Sequence, residues 1–224
     1  AGKHASILTG DCGGASGMAG RRMNEAEAIL KKKKTLKAEL DALLPGTESD
    51  ALWKEAEARL EEILRQYSSL PKGVKTHTHQ RIFPAAAVYL TAREALGSEQ
   101  AYRIIEQSCI QQSLNAANSL HALLRIPGMK RFFVRMWSPV SRRIFGEQNG
   151  FQNVFYPRKH DEFRMDIIAC PYFRYFNELG CGGLTKIFCA NDDRMYGNLP
   201  GLRFERSSTL GRGGERCDFH IRTL

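Results

Sequence analysis

The hydrophobic pattern of the chain changes after Gly146, and this change is the strongest limit on the fold that the sequence can adopt. Before Gly146, apolar residues recur every three or four positions, which is the period of an amphipathic helix. After Gly146, apolar and polar residues alternate over short segments, which is typical of half-buried strands. The sequence therefore predicts an α+β fold, in which an N-terminal helical region is followed by a small antiparallel sheet with two short helices that carry the cysteines.

Three regions follow from this pattern. Residues 1–23 are rich in glycine and other small residues and are predicted to be a flexible segment. Residues 24–146 form the helical region, and residues 147–224 form a cysteine-rich α+β region that would carry any catalytic site. A chain of 224 residues can bury a sizeable core. We therefore predict that the α+β region packs on the helices as one globular unit.

Prolines and glycines divide the helical region into separate helices. The predicted helices span residues 24–44, 50–67, 84–96, 98–124 and 130–145. Four successive lysines at 31–34 are expected on the solvated side of the first helix, and Cys109 is expected in the core. The last helix is basic and aromatic, which would suit a membrane surface. Pro139 interrupts this pattern, so packing on the next region is favoured.

The segment 68–83 contains Pro71 and Gly73 and is predicted to be a loop that leads into a helix. It also carries His77 and His79, which could form a metal-binding pair on an extended segment. No other candidate ligand lies nearby in the sequence, and the loop interpretation is therefore favoured.

The α+β region is predicted to contain two hairpins that flank a pair of helices. Strands are predicted at residues 151–159, 163–169, 202–208 and 216–222, and helices at 170–179 and 184–195. On the last strand, alternation directs Cys217, Phe219 and Ile221 to the core. It directs Asp218 and His220 to the opposite face.

Composition and charge narrow the classes of function. No apolar run approaches the ~18 residues that span a bilayer, and the N-terminus has no long apolar stretch typical of a secretory signal. Six cysteines are too few for a disulfide scaffold, so reduced thiols in the cytoplasm are predicted. The formal net charge of +9 would suit nucleic acid or an anionic substrate, but no nucleic-acid motif accompanies it. We expect a small-molecule partner and neither a membrane nor nucleic acid, with a homo-oligomer left open.

Four of the six cysteines lie between Cys170 and Cys217. Cys170 directly precedes Pro171, which places it at or next to the N-cap of a helix. Free backbone N–H groups and the positive end of the helix dipole lower the pKa of a thiol at this position. On these grounds, Cys170 is the candidate nucleophile.

The other cysteines suggest several roles. Cys189 and Asp192 lie three residues apart on one predicted helix, so their side chains can meet, and Cys181 shares their face. The cysteines are widely spaced and form no CxxC pair, which does not favour a structural zinc. A metal site and a set of buried structural cysteines nevertheless stay open beside a thiol-lined active site.

Several short motifs occur in a fixed order along the chain. They are Arg81-Ile82-Phe83-Pro84, Cys170-Pro171-Tyr172, Leu179-Gly180-Cys181, Phe188-Cys189 followed by Asp192, Gly201-Leu202-Arg203-Phe204-Glu205-Arg206, Thr209-Leu210-Gly211 and Cys217-Asp218-Phe219. In these motifs, roughly residues 75–222 resemble the L-2-amino-thiazoline-4-carboxylic acid hydrolase family. The chain before this region lies outside the resemblance.

The resemblance implies a hydrolase that opens a small cyclic C–N or C–S substrate, since the family's founding activity opens a thiazoline to a carbamoyl-cysteine. Cys170 would attack through a covalent intermediate, with Cys189 close by, and Asp192 or His220 would move the proton. No metal or cofactor is implied. The alternatives are a non-enzymatic module that binds or senses a small ligand, and a zinc-stabilised scaffold.

The predicted substrate carries a carboxylate, which requires a cation in the site. Arg203 and Arg206 lie on opposite faces of one predicted strand, so at most one of them should face a given site. Cys181 and Cys217 are expected to contact the substrate as part of a thiol-rich wall.

Overall fold

The computed structural model of the chain describes residues 24–157 and 159–224. The predicted flexible segment at 1–23 lies outside the described residues. The helices of the described part are α1 Glu25–Leu30, α2 Lys34–Leu43, α3 Gly46–Gln66, α4 Lys72–His77, α5 Phe83–Leu96, α6 Ser98–Leu124, α7 Met129–Ile144, α8 Pro171–Glu178 and α9 Thr185–Tyr196. The strands are β1 Gln152–Phe155, β2 Glu162–Ala169, β3 Leu202–Glu205 and β4 Cys217–Thr223. In this part of the chain, none of the helices combines the length and apolarity that crossing a membrane requires.

The α+β class that the sequence predicted is confirmed: helices fill the first part of the chain, and the strands form one antiparallel sheet. Helices α5 and α6 have almost the predicted bounds. Gly97 separates them and adopts a positive φ of 84°, a conformation that glycine tolerates best. Helix α7 also forms close to its predicted bounds, with Pro139 inside the helix.

The prediction of one helix over 24–44 is wrong, since the chain bends between α1 and α2. The bend falls within the lysine run. The backbone N–H groups of Lys32 and Lys33 donate to carbonyls only three residues back, which ends the α-helical pattern. Lys33 then has non-helical backbone angles before α2 begins.

The predicted loop over 68–83 is also wrong, because the segment is helical. Helix α4 is followed by one π-helical turn, Thr78–Ile82, which runs directly into α5. Val74, Thr78 and Ile82 are buried at four-residue spacing. Tertiary packing of this face therefore stabilises a helix that Pro71 and Gly73 did not suggest.

The four strands are ordered β1-β2-β4-β3, and all neighbours are antiparallel. One face of the sheet is apolar and is covered by α7, whose Trp137 lies 5.4 Å from Tyr196 and 6.5 Å from Phe219 between ring centroids. This confirms that α7 packs its aromatic side on the α+β region. Strand β3 ends three residues earlier than predicted, because Ser207 and Ser208 turn to donate their backbone N–H groups to the Asp218 carboxylate.

The buried apolar residues form two clusters. The helical core is built mainly by α1 to α6 and includes Phe176 and Ile187 from the last two helices. The sheet core lies between the apolar face of the sheet, α7 and the end of α9. Tyr172 packs against both cores. Helices α8 and α9 therefore lie along the seam between the cores, and the candidate site lies there.

Candidate functional site

Three cysteines from different elements meet at the seam. Cys170 precedes α8, Cys189 lies on α9, and Cys217 begins β4. The five cysteines of the described part are all free thiols. Cys170 and Cys189 are close enough to act on the pKa of Cys217, and Cys189 acts on the pKa of Cys170. The fold therefore brings together three of the four cysteines that the sequence singled out.

Two of the three thiols, Cys170 and Cys189, keep part of their surface accessible, whereas Cys217 is buried. Every residue of α9 from 188 to 195 is partly accessible, whereas a helix packed on one side would alternate between buried and exposed positions. The Asp192 side chain keeps 34% of its surface accessible, although burial is the largest influence on its pKa and raises it. We call the space bordered by Cys170, Tyr172, Cys189 and Asp192 the thiol recess.

Three groups that can donate hydrogen bonds lie near the sulfur of Cys189. The neighbouring Cys217 thiol lowers the pKa of Cys189 most, followed by the backbone N–H of Gly211 and the hydroxyl of Thr209. These donors lower the pKa of Cys189 to about 7, against the opposing effects of burial and the Asp192 charge. The sulfur of Cys217 accepts the backbone N–H of Leu210 at 3.2 Å, and its interaction with Cys189, together with burial, raises its pKa. The thiolate of this pair is therefore favoured at Cys189.

A glycine is needed where the loop before β4 approaches this sulfur. A β-carbon added to Gly211 would lie 2.9 Å from Cys189 Sγ and 3.0 Å from Thr185 Cγ2. Both distances are shorter than an ordinary carbon contact. The absence of a side chain lets the backbone N–H of Gly211 reach the thiolate.

Two threonine hydroxyls near Cys189 have unused hydrogen-bonding capacity. Thr185 lies one helical turn before Cys189, and Thr209 precedes Gly211 by two residues. Both side chains are buried, and within the described residues neither Oγ1 completes a hydrogen bond as placed. Thr209 Oγ1 nevertheless lies close enough to Cys189 to lower its pKa. Buried hydroxyls without partners are costly, so these groups are available to the thiolate or to a bound molecule.

The predicted activation of Cys170 is wrong, although its position at the N-cap of α8 is as predicted. Backbone N–H groups of Phe173 and Tyr172 lower its pKa, as expected. Burial outweighs them, and the nearby Cys189 and Asp192 act in the same direction as burial. The pKa of Cys170 is raised to about 12, so its thiol stays protonated at neutral pH.

Asp192 is held by an arginine that the sequence analysis had considered for the substrate. Arg206 Nη2 lies 2.6 Å from Asp192 Oδ2, and Arg206 Nη1 donates to the Cys189 carbonyl at 2.9 Å. The Arg206 side chain is only 4% exposed, so the prediction that it binds substrate is not supported by its position. Asp192 Oδ1 takes part in no hydrogen bond among the described residues and remains available.

Arg81 is a site residue that the sequence analysis missed. Its guanidinium lowers the pKa of both Tyr172 and Asp192, which places it beside the thiol recess. It is itself exposed. None of the ion pairs within the described ranges includes Arg81. The available signal was its membership of the Arg81-Ile82-Phe83-Pro84 motif, but a predicted loop gave no reason to place it near the cysteines.

His77 positions Tyr172 rather than a metal. His77 Nε2 lies 2.9 Å from the Ile144 carbonyl, which can only accept, so Nε2 carries the proton. Nδ1 then accepts from the Tyr172 hydroxyl at 3.1 Å. Burial lowers the pKa of His77, which keeps the ring neutral. Across the part of the chain that the structure describes, no three His, Cys, Asp or Glu residues are grouped so that they could hold a metal ion.

Three other predicted site residues lie outside the recess. His220 is on the opposite face of the sheet from Cys217, where its ring nitrogens lie 3.3 Å from Glu162 and 3.2 Å from Glu205. Arg203 is exposed and pairs with Glu205 at 3.0 Å. Cys181 is buried in the helical core. The structure separates these side chains from the three clustered thiols because strand alternation and helix packing direct them elsewhere.

The fold and the recess together define an α+β protein with a thiol-lined site that contains a carboxylate. Residues 75–221 match the family described as L-2-amino-thiazoline-4-carboxylic acid hydrolase. The match covers well over half of the chain, and the chain therefore belongs to this family, as the resemblance implied. The matched region includes every residue that borders the thiol recess. No curated protein and no solved structure shows significant similarity to the chain.

Proposed function

We propose that the protein is a hydrolase that opens a small ring containing a thiazoline-like or cyclic amidine carbon, with Cys189 as the nucleophile. The family name is that of a hydrolase, which supports this class of reaction. The observation that carries the proposal is that the donors around Cys189 lower the pKa of its partly accessible thiol to about 7. A thiolate that exists at neutral pH and borders an open recess is equipped to attack an electrophilic carbon.

For a 2-amino-thiazoline, the proposed reaction proceeds in two stages. The Cys189 thiolate adds to the ring carbon that is bonded to nitrogen and sulfur, and a proton is transferred to the ring nitrogen. The carbon–sulfur bond of the ring breaks, and the departing sulfur takes a second proton. Water then adds to the carbon and expels the Cys189 thiolate. The two protons that water loses replace the two consumed earlier, and the water oxygen becomes a carbonyl.

Asp192 is the proposed carrier of these protons. It lies one helical turn from Cys189, its Oδ2 is fixed by Arg206, and its Oδ1 is unengaged among the described residues. Burial raises its pKa, which brings it closer to the range in which a carboxyl group both accepts and donates protons. The protonated thiol of Cys170 and the Tyr172 hydroxyl would form the polar wall facing the ring.

Arg81 is the proposed partner of the substrate carboxylate. It replaces Arg203 and Arg206 in this role because it is the arginine that lies beside the recess without an ion-pair partner in the described ranges. A guanidinium can bind a carboxylate through two parallel hydrogen bonds. A thiolate nucleophile must stay reduced, and we therefore propose that the protein acts in the cytoplasm, which is a reducing compartment.

The decisive experiment incubates the protein with L-2-amino-thiazoline-4-carboxylate and measures carbamoyl-cysteine and free thiol. Cys189→Ala should abolish turnover, whereas Cys181→Ala should retain it, since Cys181 lies in the helical core. Intact-mass measurement of wild-type protein during turnover should show a covalent adduct that is absent in Cys189→Ala. Full turnover by Cys189→Ala would refute the nucleophile. Tight binding without product would favour a non-enzymatic ligand-binding module.

A further inference from the structure

Lys33 differs from the other three lysines of its run. Lys31, Lys32 and Lys34 are exposed, whereas Lys33 is half-buried. Its Nζ donates to the backbone carbonyl of Gln80, in the π-helical turn. The prediction that the whole run lies on the solvated side of a helix is wrong for Lys33. The bend between α1 and α2 turns this one lysine towards the body of the protein.

The contact with Gln80 brings two cations together. Arg81 follows Gln80 directly, and it is close enough to Lys33 to lower the pKa of the ammonium group, in addition to the larger effect of burial. In the described ranges, neither Lys33 nor Arg81 forms an ion pair. Two neighbouring positive charges without a carboxylate repel each other, and burial of one of them adds to the cost. A bound anion would relieve both effects.

The element that carries Lys33 is fixed on the matched region rather than loosely attached. Thr35 Oγ1 lies 2.8 Å from Ser108 Oγ on α6 and accepts from Gln112 Nε2 at 3.0 Å. Leu36 and Leu40 of α2 are buried in the helical core. The position of Lys33 relative to Arg81 is therefore set by packing, although Lys33 lies outside the residues that match the family.

We propose that Lys33 and Arg81 form an anion-binding subsite for the carboxylate of the substrate, so that a residue outside the matched region determines specificity. This inference rests on the proposed function and adds Lys33 to Arg81 as a second cation for the substrate carboxylate. Arg81 links the subsite to the chemistry through the Tyr172 hydroxyl and the Asp192 carboxylate. The ring would then lie over Cys189 while its carboxylate points to the two cations.

The test compares Lys33→Met with Lys32→Met, an exposed lysine of the same run. With L-2-amino-thiazoline-4-carboxylate, Lys33→Met should raise KM about tenfold with a smaller change in kcat, as expected for loss of one charged contact. With the corresponding uncharged carboxamide, Lys33→Met should leave KM unchanged. Lys33→Arg should restore most of the loss, and Lys32→Met should behave as wild type. Equal melting temperatures of the two Met variants would show that folding is intact.

A binding measurement separates this inference from the proposed function. Calorimetric titration of the unreactive ring compound thiazolidine-4-carboxylate requires no turnover. Its Kd should rise about tenfold in Lys33→Met and stay unchanged in Lys32→Met. Unchanged affinity in Lys33→Met refutes the subsite even if the protein is an active hydrolase. Weakened affinity in a protein that turns over no thiazoline keeps the subsite and refutes the reaction.

Discussion

A β-carbon at position 211 would lie 2.9 Å from Cys189 Sγ, and the backbone N–H of Gly211 lowers the pKa of that thiol. The loop before β4 and helix α9 therefore fit together only because position 211 has no side chain. This contact connects the packing of a loop to the ionisation of a thiol.

Replacing Gly211 by alanine should impair both packing and thiol ionisation. The added methyl group must displace Cys189 Sγ or Thr185 Cγ2, which we expect to lower the free energy of unfolding by about 1–3 kcal/mol. Moving the Gly211 N–H away from the sulfur should also raise the pKa of Cys189. Urea denaturation and thiol-labelling rates measure the two effects. Gly183→Ala is the control, since a β-carbon there meets nothing within 4 Å. Equal behaviour of the two variants would contradict the close approach.

The reactivity of Cys189 should follow a pKa near 7. The thiolate is the reactive form, so the rate of alkylation by iodoacetamide should increase as the pH rises through about 7 and then level off. Cys170 and Cys181, each with a pKa raised to about 12, should react slowly over this range. Peptide mass spectrometry after timed labelling identifies the modified residue. A transition near pH 9 at Cys189, or faster labelling of Cys170, would show that the donors do not stabilise the Cys189 thiolate.

Arg206→Met should destabilise the protein more than Arg203→Met. The Arg206 side chain is buried and its loss leaves Asp192 without its cation, which we expect to cost about 3 kcal/mol, at the lower end for a broken buried pair because Asp192 is partly accessible. Arg203 is exposed, and its replacement should change stability by less than about 0.5 kcal/mol. Urea denaturation measures both.

The Arg206–Asp192 ion pair should also affect how activity depends on pH. Arg206 lowers the pKa of Asp192 against the effect of burial, so Arg206→Met should raise that pKa further. If ionised Asp192 is required, the acidic limb of the activity profile should move to higher pH. A stable Arg206→Met variant with only a higher KM would instead assign Arg206 to substrate binding.

His220→Gln should leave turnover within about twofold of wild type. The imidazole lies on the outer face of the sheet between Glu162 and Glu205, away from the clustered thiols. These contacts are partly accessible to solvent and should contribute little to stability, about 0–1 kcal/mol. Steady-state kinetics on the thiazoline substrate measure the turnover of His220→Gln against wild type. A loss of a hundredfold or more would restore His220 as the proton carrier that the sequence had suggested.

Local patterns in the sequence were sufficient for much of the α+β region. Alternation on β4 correctly separated Cys217 and Phe219 from Asp218 and His220, because side-chain direction in a strand depends only on position. The proline after Cys170 likewise marked the start of α8. Alternation does not indicate which face of the sheet borders the site. His220 was therefore predicted near Cys189 and Asp192, whereas it lies between Glu162 and Glu205.

Properties that depend on distant neighbours were not predictable. The N-cap position of Cys170 indicates a lowered pKa, but burial by residues far away in the sequence reverses the direction. Arg81 was missed for a related reason: the helical path through Thr78–Ile82 follows from tertiary packing that a segment with Pro71 and Gly73 does not suggest. The Cys189–Cys217 contact joins residues on α9 and β4 and required the whole fold.

The two-sided packing of Tyr172 has a consequence for how the protein should lose activity. This side chain contacts the helical core on one side and the sheet core on the other, and its hydroxyl hydrogen-bonds His77. The thiol recess therefore lies at the boundary between the helical core and the sheet core. Mild heating or a low denaturant concentration that separates the two cores at this boundary should inactivate the protein before either core unfolds.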